Sequence, residues 1–452
     1  MSTTLRLTPF ERCLVLEHCA GYPCDCFVRT VFEGRVDDEC FTNAVRSALE
    51  FHPLLRAVVK TGWTEKWTFP DFSDPSIEWR EGNAGGPFPQ ARKIDLYRET
   101  GLKILVIRDQ SNTDVLFQFH HACCDGAGID RFIDDVLVNY AREWEHASDA
   151  SHSPCQHPAT VDVNRLTKRG AHGLRFSSTL KVLPSQLVGL LGAAQFWGRQ
   201  PKPVVEHQAR DRDTASQKQV PSITSYRFDK AETLTLRKAA IERNVSLHEL
   251  LVRDFFLALW KWQKKLGQYD ADSWVRMMVP MNMRDTSYRS LPAMNQVSSI
   301  FLDRRGKDGS DPDQLLNSIR EEMEVIRKFQ LRYTFLFLLE ILNRIPTALK
   351  KSVTRDECKT SVIFSSLGKS LRRCELPRES GRIWAGDIVL NDIYGIAPLR
   401  PYNCFTIFNL EYANRLRVNL HYDAEFVSPA DAEELMNLFV LALNETIQVS
   451  GR

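Results

Sequence analysis

The sequence has little cysteine and no excess of either charge. Its 11 cysteines among 452 residues are odd in number and irregularly spaced, which argues against a disulfide framework and favours reduced thiols in the cytoplasm. With 59 Lys and Arg against 57 Asp and Glu, the net charge is +2. This balance disfavours a nucleic-acid-binding surface and gives no overall attraction to an anionic membrane.

Long apolar runs are also missing. No stretch reaches the ~18 apolar residues of a membrane-spanning helix, and the N-terminal residues lack the apolar region of a secretion signal. The two most apolar runs are 187–197, which is too short, and 333–345, which Glu340, Asn343 and Arg344 interrupt. We expect no transmembrane segment, and peripheral contact with a membrane stays open.

What the sequence does have is an ordinary globular composition, with 43% hydrophobic and 10% aromatic residues. The length allows one large two-lobed fold or two to three domains. Polar stretches at 147–171 and 198–222 flank an apolar segment and are the candidate linkers. We therefore expect an N-terminal lobe at 1–175, a crossover segment and linker at 176–222, and a C-terminal lobe at 223–452.

Hydrophobic periodicity predicts mixed helix and strand content in both lobes. In the first lobe we expect a helix over 41–51, a strand over 54–59, a hairpin of 102–108 with 115–120, and a long amphipathic helix from 127. In the second, Ser246 and Glu249 form a capping box at the start of a helix, and Ser428-Pro429 starts a final helix. The strands expected in the second lobe are 274–281, 296–302, 360–367, 386–394, 404–412 and 415–422.

One motif carries the chemistry. Residues 120–126 read His-His-Ala-Cys-Cys-Asp-Gly, and a chance H-H-x-x-x-D-G is expected roughly 0.001 times in a chain of this composition. The motif falls in the loop between the predicted strand and the long helix. An imidazole held at a strand end can face a cleft as a general base, which makes His121 the candidate base. Asp125 can organise the loop, and Gly126 permits a tight turn into the helix.

This motif resembles the signature of the acyltransferase superfamily that contains chloramphenicol acetyltransferase, alcohol and wax-ester acyltransferases, and the condensation domains of nonribosomal peptide synthetases. The resemblance extends along most of the chain. Residues 51–57 are similar to the family's H-P-x-L-R segment, and 279–284 to its P-x-x-x-R strand. Residues 364–368 look like its S-N-x-G segment, with Ser366 in place of Asn. The D-F-G-W-G segment of the plant branch has at best a distant counterpart at 392–396.

The resemblance implies an α/β fold with two similar chloramphenicol acetyltransferase-like lobes, each a mixed sheet flanked by helices, and a tunnel between them. It implies that His121 is the catalytic base, that His120 belongs to the same catalytic motif, and that Asp125 makes a structural salt bridge. Arg284 is the partner of Asp125 by resemblance only. Ser365 and Ser366 are candidates for the oxyanion hole or the tunnel wall.

These residues predict a freestanding acyltransferase that moves an acyl group from a thioester to a hydroxyl or an amine by direct attack. Acyl-CoA is the expected co-substrate, and no metal or permanently bound cofactor is needed. Arg372 and Arg373, or the lysines of 261–265, could hold the phosphates of coenzyme A. Two alternatives stay open: amide or ester formation on a substrate bound to an acyl carrier protein, and a catalytically inactive binding scaffold.

Two further alternatives concern the site itself. Cys123 and Cys124 lie beside His121, so a thiol nucleophile with an acyl-enzyme intermediate is an alternative mechanism. The group of His18, Cys19, Cys24 and Cys26 is an alternative metal site, although it lacks a second ligand pair at zinc-finger spacing.

Overall fold

The computed structural model describes residues 4–62, 64–71, 75–148, 163–172, 174, 182–207, 218–219, 221–284 and 291–450. Within them the α-helices are α1 (Pro9–Glu17), α2 (Asp38–Phe51), α3 (Gly126–Ser148), α4 (Gln186–Gly198), α5 (Lys230–Glu242), α6 (Leu247–Lys265), α7 (Pro312–Lys328), α8 (Thr334–Arg344), α9 (Ala348–Thr354) and α10 (Pro429–Ser450). The strands are β1 (Thr4–Arg6), β2 (Asp25–Glu33), β3 (Val58–Lys60), β4 (Lys66–Thr68), β5 (Ile77–Glu81), β6 (Ala91–Arg92), β7 (Leu102–Arg108), β8 (Asn112–His120), β9 (Lys218–Gln219), β10 (Ile223–Arg227), β11 (Trp274–Asn282), β12 (Val297–Arg305), β13 (Val362–Lys369), β14 (Arg378–Glu379), β15 (Arg382–Ala385), β16 (Ile388–Ile396), β17 (Phe405–Tyr412) and β18 (Arg415–Tyr422).

The first large sheet has seven strands in the order β14-β15-β16-β2-β8-β7-β5. Its strands pair antiparallel except for β5 and β7, which are parallel. Helices α2 and α3 pack against each other beside it, and α3 buries Phe132 and Tyr140 completely. Since β8 ends at His120 and α3 begins at Gly126, this sheet and this helix hold the two ends of the motif loop.

The second large sheet has six strands in the order β10-β18-β17-β13-β11-β12. Here β13 runs parallel to both of its neighbours, and its pairing with β17 shifts register between Ser366 and Gly368. Helices α6 and α10 pack together around a core that contains Phe255, Trp262 and Phe439. This sheet carries the serine pair and the strand that precedes Arg284. The two mixed sheets with flanking helices confirm the predicted two-lobed α/β fold.

The two sheets are connected by an exchange of strands along the chain. Strands β14, β15 and β16 lie late in the sequence, yet β16 pairs with β2 in the first sheet. The next strand, β17, returns to the second sheet and contacts β16. The predicted boundaries at 175 and 222 remain predictions. They do not include this return of the chain, in which strands from the C-terminal part join the first sheet.

Most of the predicted elements are present within a few residues of the expected bounds. The capping box forms as expected, because the Glu249 amide donates to Ser246 Oγ and the Ser246 amide donates to the Glu249 carboxylate. The strand predicted over 54–59 begins later than expected, at Val58 (β3, Val58–Lys60). Residues Pro53–Arg56 form a 3₁₀ turn instead, because the proline favours the first position of a helical turn. Among the described residues, no helix is long and apolar enough to cross a membrane.

Candidate active site

The motif loop is held at its start by backbone hydrogen bonds. His120 is the last residue of β8, and the His121 amide donates to the Cys24 carbonyl at 2.8 Å. The side-chain Nδ2 of Asn295 donates to the backbone carbonyl oxygens of His121 and Ala122 at 2.8 and 2.9 Å. These contacts fix the backbone at the position from which the His121 side chain projects.

The His121 ring is fixed by one side-chain hydrogen bond and one aromatic contact. Its Nδ1 lies 3.1 Å from the Cys124 carbonyl oxygen, which can only accept, so Nδ1 carries the proton and Nε2 keeps its lone pair. Phe10 contacts the ring edge-on, with centroids 6.4 Å apart. Burial lowers the pKa of His121 below its usual value, against the opposing influence of the Asp125 charge. A neutral imidazole with a free Nε2 is the form that a general base requires.

Asp125 is the anchor of the loop. Both of its carboxylate oxygens accept from the Arg284 guanidinium, at 2.7 and 2.8 Å, so the partner implied by the resemblance is in contact. The backbone amides of Gln296 and Gly128 also donate to it, at 2.7 and 2.9 Å. Burial alone would raise the pKa of Asp125, but Arg284 and these amides hold the pKa below its usual value. The carboxylate is saturated by donors, which suits a structural role.

Two glycines in the first turn of α3, Gly126 and Gly128, differ in how much room a side chain would have. The chain turns from the loop into α3 at Gly126, and since Gly126 is not among the positive-φ glycines of the described residues, this turn does not use the left-handed conformation. A Cβ there would meet Leu367 and Phe408 at 3.7 Å, so its effect is to leave space in the cavity that those side chains line. Gly128 is the crowded position, where a Cβ would lie 2.9 Å from the Cys124 Cβ and 3.1 Å from the Met294 carbonyl oxygen.

His120 faces away from the cavity and belongs to a buried hydrogen-bond network. The Ala122 amide donates to its Nδ1 at 3.1 Å, so Nε2 carries the proton and donates to His18 Nδ1 at 3.0 Å. His18 Nδ1 also accepts from the Cys24 amide at 3.2 Å. Burial lowers the pKa of His18 to about 4. Both ring nitrogens of His120 are therefore engaged within the protein, and the catalytic role expected for it stays a prediction.

Metal-ligating side chains also meet at this network. His18, Asp25 and His120 have ligand atoms within 4.8 Å of one another, and burial raises the pKa of Asp25 to about 7. Within the described residues this group replaces the one expected from the sequence, since Cys19, Cys24 and Cys26 do not join it. The facing imidazole nitrogens are engaged with each other and with backbone amides.

A cavity of about 140 Å³ lies between the two sheets and opens onto His121. Its wall is mainly apolar and comes from both lobes. The motif contributes His121, Asp125 and Gly126, and the second sheet contributes Ser365 and Ser366. Other lining residues are Phe27, Ile129, Met278, Pro280, Leu367, Ile396, Arg400 and Phe408. The structure therefore brings the motif and the serine pair, which are about 240 residues apart in the chain, to one space.

A second histidine lies behind the cavity wall, in contact with the serine pair of the second sheet. His248, in the first turn of α6, has its Nδ1 2.8 Å from Ser366 Oγ and packs edge-on against Phe364. Burial lowers the pKa of His248 to about 4, so the ring is neutral at physiological pH. His248 and Asn295 were not predicted from the sequence, since a single histidine or asparagine far from the motif has no local signal.

The two expected phosphate-binding groups lie in different places. Arg372 and Arg373 are exposed and directly follow Leu371, which lines the cavity. The lysines of 261–265 lie on the outer face of α6, where Lys265 pairs with Glu434 and Lys264 lies over the Tyr269 ring. Of the two groups, the arginine pair is the one that adjoins a residue of the cavity wall.

Two mixed sheets that share a cavity, with the motif loop at their junction, define the class of condensation-domain-like folds. Comparison with solved structures agrees. The first condensation domain of the CDA synthetase superposes with a TM-score of 0.71 at 15% identity, covering 99% of this chain and 96% of that one. Polyketide synthase associated protein 5 from Mycobacterium tuberculosis gives a TM-score of 0.63 at 14% identity, covering 98% of each chain. In the nonribosomal peptide synthetase FmoA3, this chain spans 44% of a longer chain, with a TM-score of 0.68.

The fold therefore confirms the resemblance to condensation domains and related acyltransferases that the motif indicated. A sequence relative is the uncharacterized protein Rv2305 of Mycobacterium tuberculosis, 23% identical over 403 residues, which are 86% of this chain and 87% of the relative. No protein-family model matches the chain.

Proposed function

We propose that this protein is an acyltransferase that moves an acyl group from a thioester to a hydroxyl or amine acceptor, with His121 as general base. The observation that carries the proposal is the state of His121. Its Nδ1 proton is held by the Cys124 carbonyl, while the ring lines a mainly apolar cavity to which both lobes contribute. A base with one fixed nitrogen and one open nitrogen is oriented before the substrate binds.

The reaction needs no covalent enzyme intermediate. Nε2 of His121 accepts the proton of the acceptor as its oxygen or nitrogen attacks the thioester carbonyl carbon. The tetrahedral intermediate then collapses, the C–S bond breaks, and the imidazolium returns its proton to the leaving thiolate. Because burial lowers the pKa of His121, the imidazolium is a strong enough acid to release that proton readily.

The oxyanion of the intermediate needs a donor in the cavity, and Ser366 is our first candidate. If the His248 ring donates from Nδ1 to Ser366 Oγ, which lies 2.8 Å away, the hydroxyl proton remains available for the oxyanion. Ser365 also lines the cavity and is the second candidate. The base then lies at the end of a strand of the first sheet, and the oxyanion donor lies on a strand of the second sheet.

A thiol nucleophile is disfavoured by the position of the cysteines. Cys123 and Cys124 are fully buried, and burial raises the pKa of both thiols well above the usual value. A thiol in that environment is a poor source of thiolate. We therefore expect Cys124→Ala to retain most of the wild-type kcat. A total loss of activity together with an acylated cysteine in the mass spectrum of the wild type would instead establish acyl-enzyme chemistry.

We propose coenzyme A as the carrier of the acyl group, with Arg372 and Arg373 near its phosphates. The double variant Arg372→Gln/Arg373→Gln is expected to raise KM for octanoyl-CoA several-fold at low salt, and wild-type KM is expected to rise with salt, because exposed charges are screened beyond ~8 Å at physiological ionic strength. Octanoyl-pantetheine, which lacks the nucleotide, should show neither effect.

The matched control for this donor prediction is Lys261→Gln/Lys264→Gln, which removes the same charge from the outer face of α6. Its KM should equal that of the wild type for both donors. Equal KM values for octanoyl-CoA and octanoyl-pantetheine, or turnover only with an octanoylated carrier protein, would contradict coenzyme A as the donor and favour the carrier-bound alternative.

The proposed function itself is tested by following thiol release from acetyl-, octanoyl- and palmitoyl-CoA and from their pantetheine analogues, with a panel of alcohols and amines as acceptors. We expect acceptor-dependent release of free thiol with stoichiometric formation of ester or amide by mass spectrometry. A folded protein that binds thioesters without turning over any of them, including acylated carrier protein, would support the inactive scaffold instead.

A further inference from the structure

Helix α4 is predominantly apolar and lies on the surface. Its thirteen residues, Gln186–Gly198, include no charged side chain. Leu187, Leu190, Leu191 and Trp197 are 68%, 63%, 67% and 51% exposed. Surface helices normally turn charged residues to water, and a helix that is apolar all round is normally covered. Four large exposed side chains on one short helix therefore indicate a contact surface.

Helix α8 extends this surface. Thr334 donates to the Gln186 side-chain oxygen at 2.7 Å, and a Cβ on Gly189 would lie only 2.5 Å from Thr334 Oγ1, so the two helices are in close contact. Ile341 and Ile345, on α8 and directly after it, are 57% and 51% exposed. We call the set of Leu187, Leu190, Leu191, Trp197, Ile341 and Ile345 the α4–α8 face. It joins the two most apolar runs of the sequence.

The segment beside this face is cationic. Arg344, Lys350, Lys351 and Arg355 are all exposed. Arg344 pairs with Glu340 and Arg355 with Glu357, so the positive charge added beside the face is that of Lys350 and Lys351. Lys350 and Lys351 lie on α9, which contacts α8. Although the whole chain has a net charge of only +2, the helix packed against α8 therefore adds two exposed lysines beside the exposed isoleucines of α8.

A continuous series of aromatic contacts leads from this face to the site. The rings in contact are, in order, those of Trp197, Phe196, Phe301, Phe335, Phe10 and His121. The centroids of each successive pair are 5.3, 4.8, 5.9, 6.4 and 6.4 Å apart. The contact surface and the candidate base are thus joined by one apolar layer of the protein.

We propose that the α4–α8 face docks this protein on an anionic lipid surface. Exposed aliphatic side chains with a tryptophan at one end match the apolar interior of such a surface, and the neighbouring Lys350 and Lys351 match its negative head groups. At thirteen residues α4 is far shorter than the ~20 residues that span a bilayer, so it lies in the interface. The inference concerns binding only and does not depend on the proposed acyl transfer.

The test is sedimentation of the full chain with vesicles of phosphatidylcholine alone and with 30% phosphatidylglycerol. We expect the protein to bind the anionic vesicles more tightly. Leu187→Ser/Leu191→Ser should lower the partition coefficient by about tenfold or more, because apolar area leaves the interface. Lys350→Gln/Lys351→Gln should remove most of the preference for anionic vesicles.

The matched control is Leu234→Ser/Ile241→Ser on α5, where both side chains are exposed, at 54% and 72%. It should bind vesicles like the wild type. As a second readout, tryptophan emission should shift to the blue on addition of anionic vesicles, and Trp197→Phe should abolish the shift.

Three results would overturn the inference: no binding of the wild type to either vesicle, equal loss in the α4 and α5 double variants, or an unchanged blue shift in Trp197→Phe. A dimer in sedimentation velocity that Leu187→Ser/Leu191→Ser dissociates, without vesicle binding, would show that the face is covered by a second copy of the chain. None of these measurements uses catalytic activity, so they stand apart from any test of acyl transfer.

Discussion

Replacing His121 by alanine is expected to lower kcat for the proposed acyl transfer by about 10²- to 10⁴-fold and to leave the protein folded and able to bind the thioester. The reason is that the base acts on the proton transferred in the transition state and contributes little to ground-state binding. His121→Gln, which keeps an amide near the Cys124 carbonyl but has no basic nitrogen, should lose activity to a similar extent. The measurements are kcat, KM for the thioester and Tm.

His207→Ala is the control for this loss, since His207 hydrogen-bonds the Val205 carbonyl and does not line the cavity. It should retain most of the wild-type kcat. An His121→Ala protein that keeps more than about a tenth of wild-type kcat would remove His121 from the role of base.

Breaking the Asp125–Arg284 pair is expected to damage both stability and activity. The two side chains are only 6% and 17% exposed, and an ionic partner left alone in such a site costs about 3–5 kcal/mol. Asp125→Asn and Arg284→Gln should therefore lower the free energy of unfolding by comparable amounts, and the double variant should lose less than the sum. Chemical unfolding of the four proteins measures the coupling, and kcat reports displacement of the loop.

The exposed pair of Arg382 and Glu33, with 35% and 60% side-chain exposure, is the matched control, because surface ion pairs contribute little to stability. Glu33→Gln should cost less than about 1 kcal/mol. Since the pKa of Asp125 lies below its usual value, the stabilisation is present at neutral pH and is lost as the pH falls through the acid range. The cost of Asp125→Asn should shrink accordingly. Strictly additive losses in the double variant would show that the two residues are not coupled.

The parts of this structure that are encoded locally could be predicted from the sequence. The motif is contiguous, and the strand and helix on either side of it have strong periodicities, so the position of His121 in a strand-to-helix loop was predictable. The same holds for the capping box of Ser246 and Glu249, whose two hydrogen bonds lie within one turn. Arg284 could be named only through the resemblance, because nothing in its own neighbourhood indicates a carboxylate partner.

The parts that depend on distant contacts could not be predicted. The central strand β2 went unrecognised, and its pairing with β16 joins residues more than 350 positions apart. Asn295 holds the loop through the backbone of His121, and His248 reaches Ser366 across 118 positions. Each of these contacts joins residues that are distant in the sequence and adjacent only in the fold, so no local pattern reports them.

The measurement that tests direct acyl transfer most directly is rapid quench of the wild-type protein with an acyl thioester, first without and then with an acceptor. The protein and the released thiol are quantified together by intact mass spectrometry and a thiol reagent. We predict no burst of thiol and no acylated protein without acceptor, and rapid release of thiol with formation of ester or amide when the acceptor is present. A burst of one thiol per protein with a matching acyl adduct before acceptor is added, or no release under either condition, would contradict His121-catalysed direct transfer.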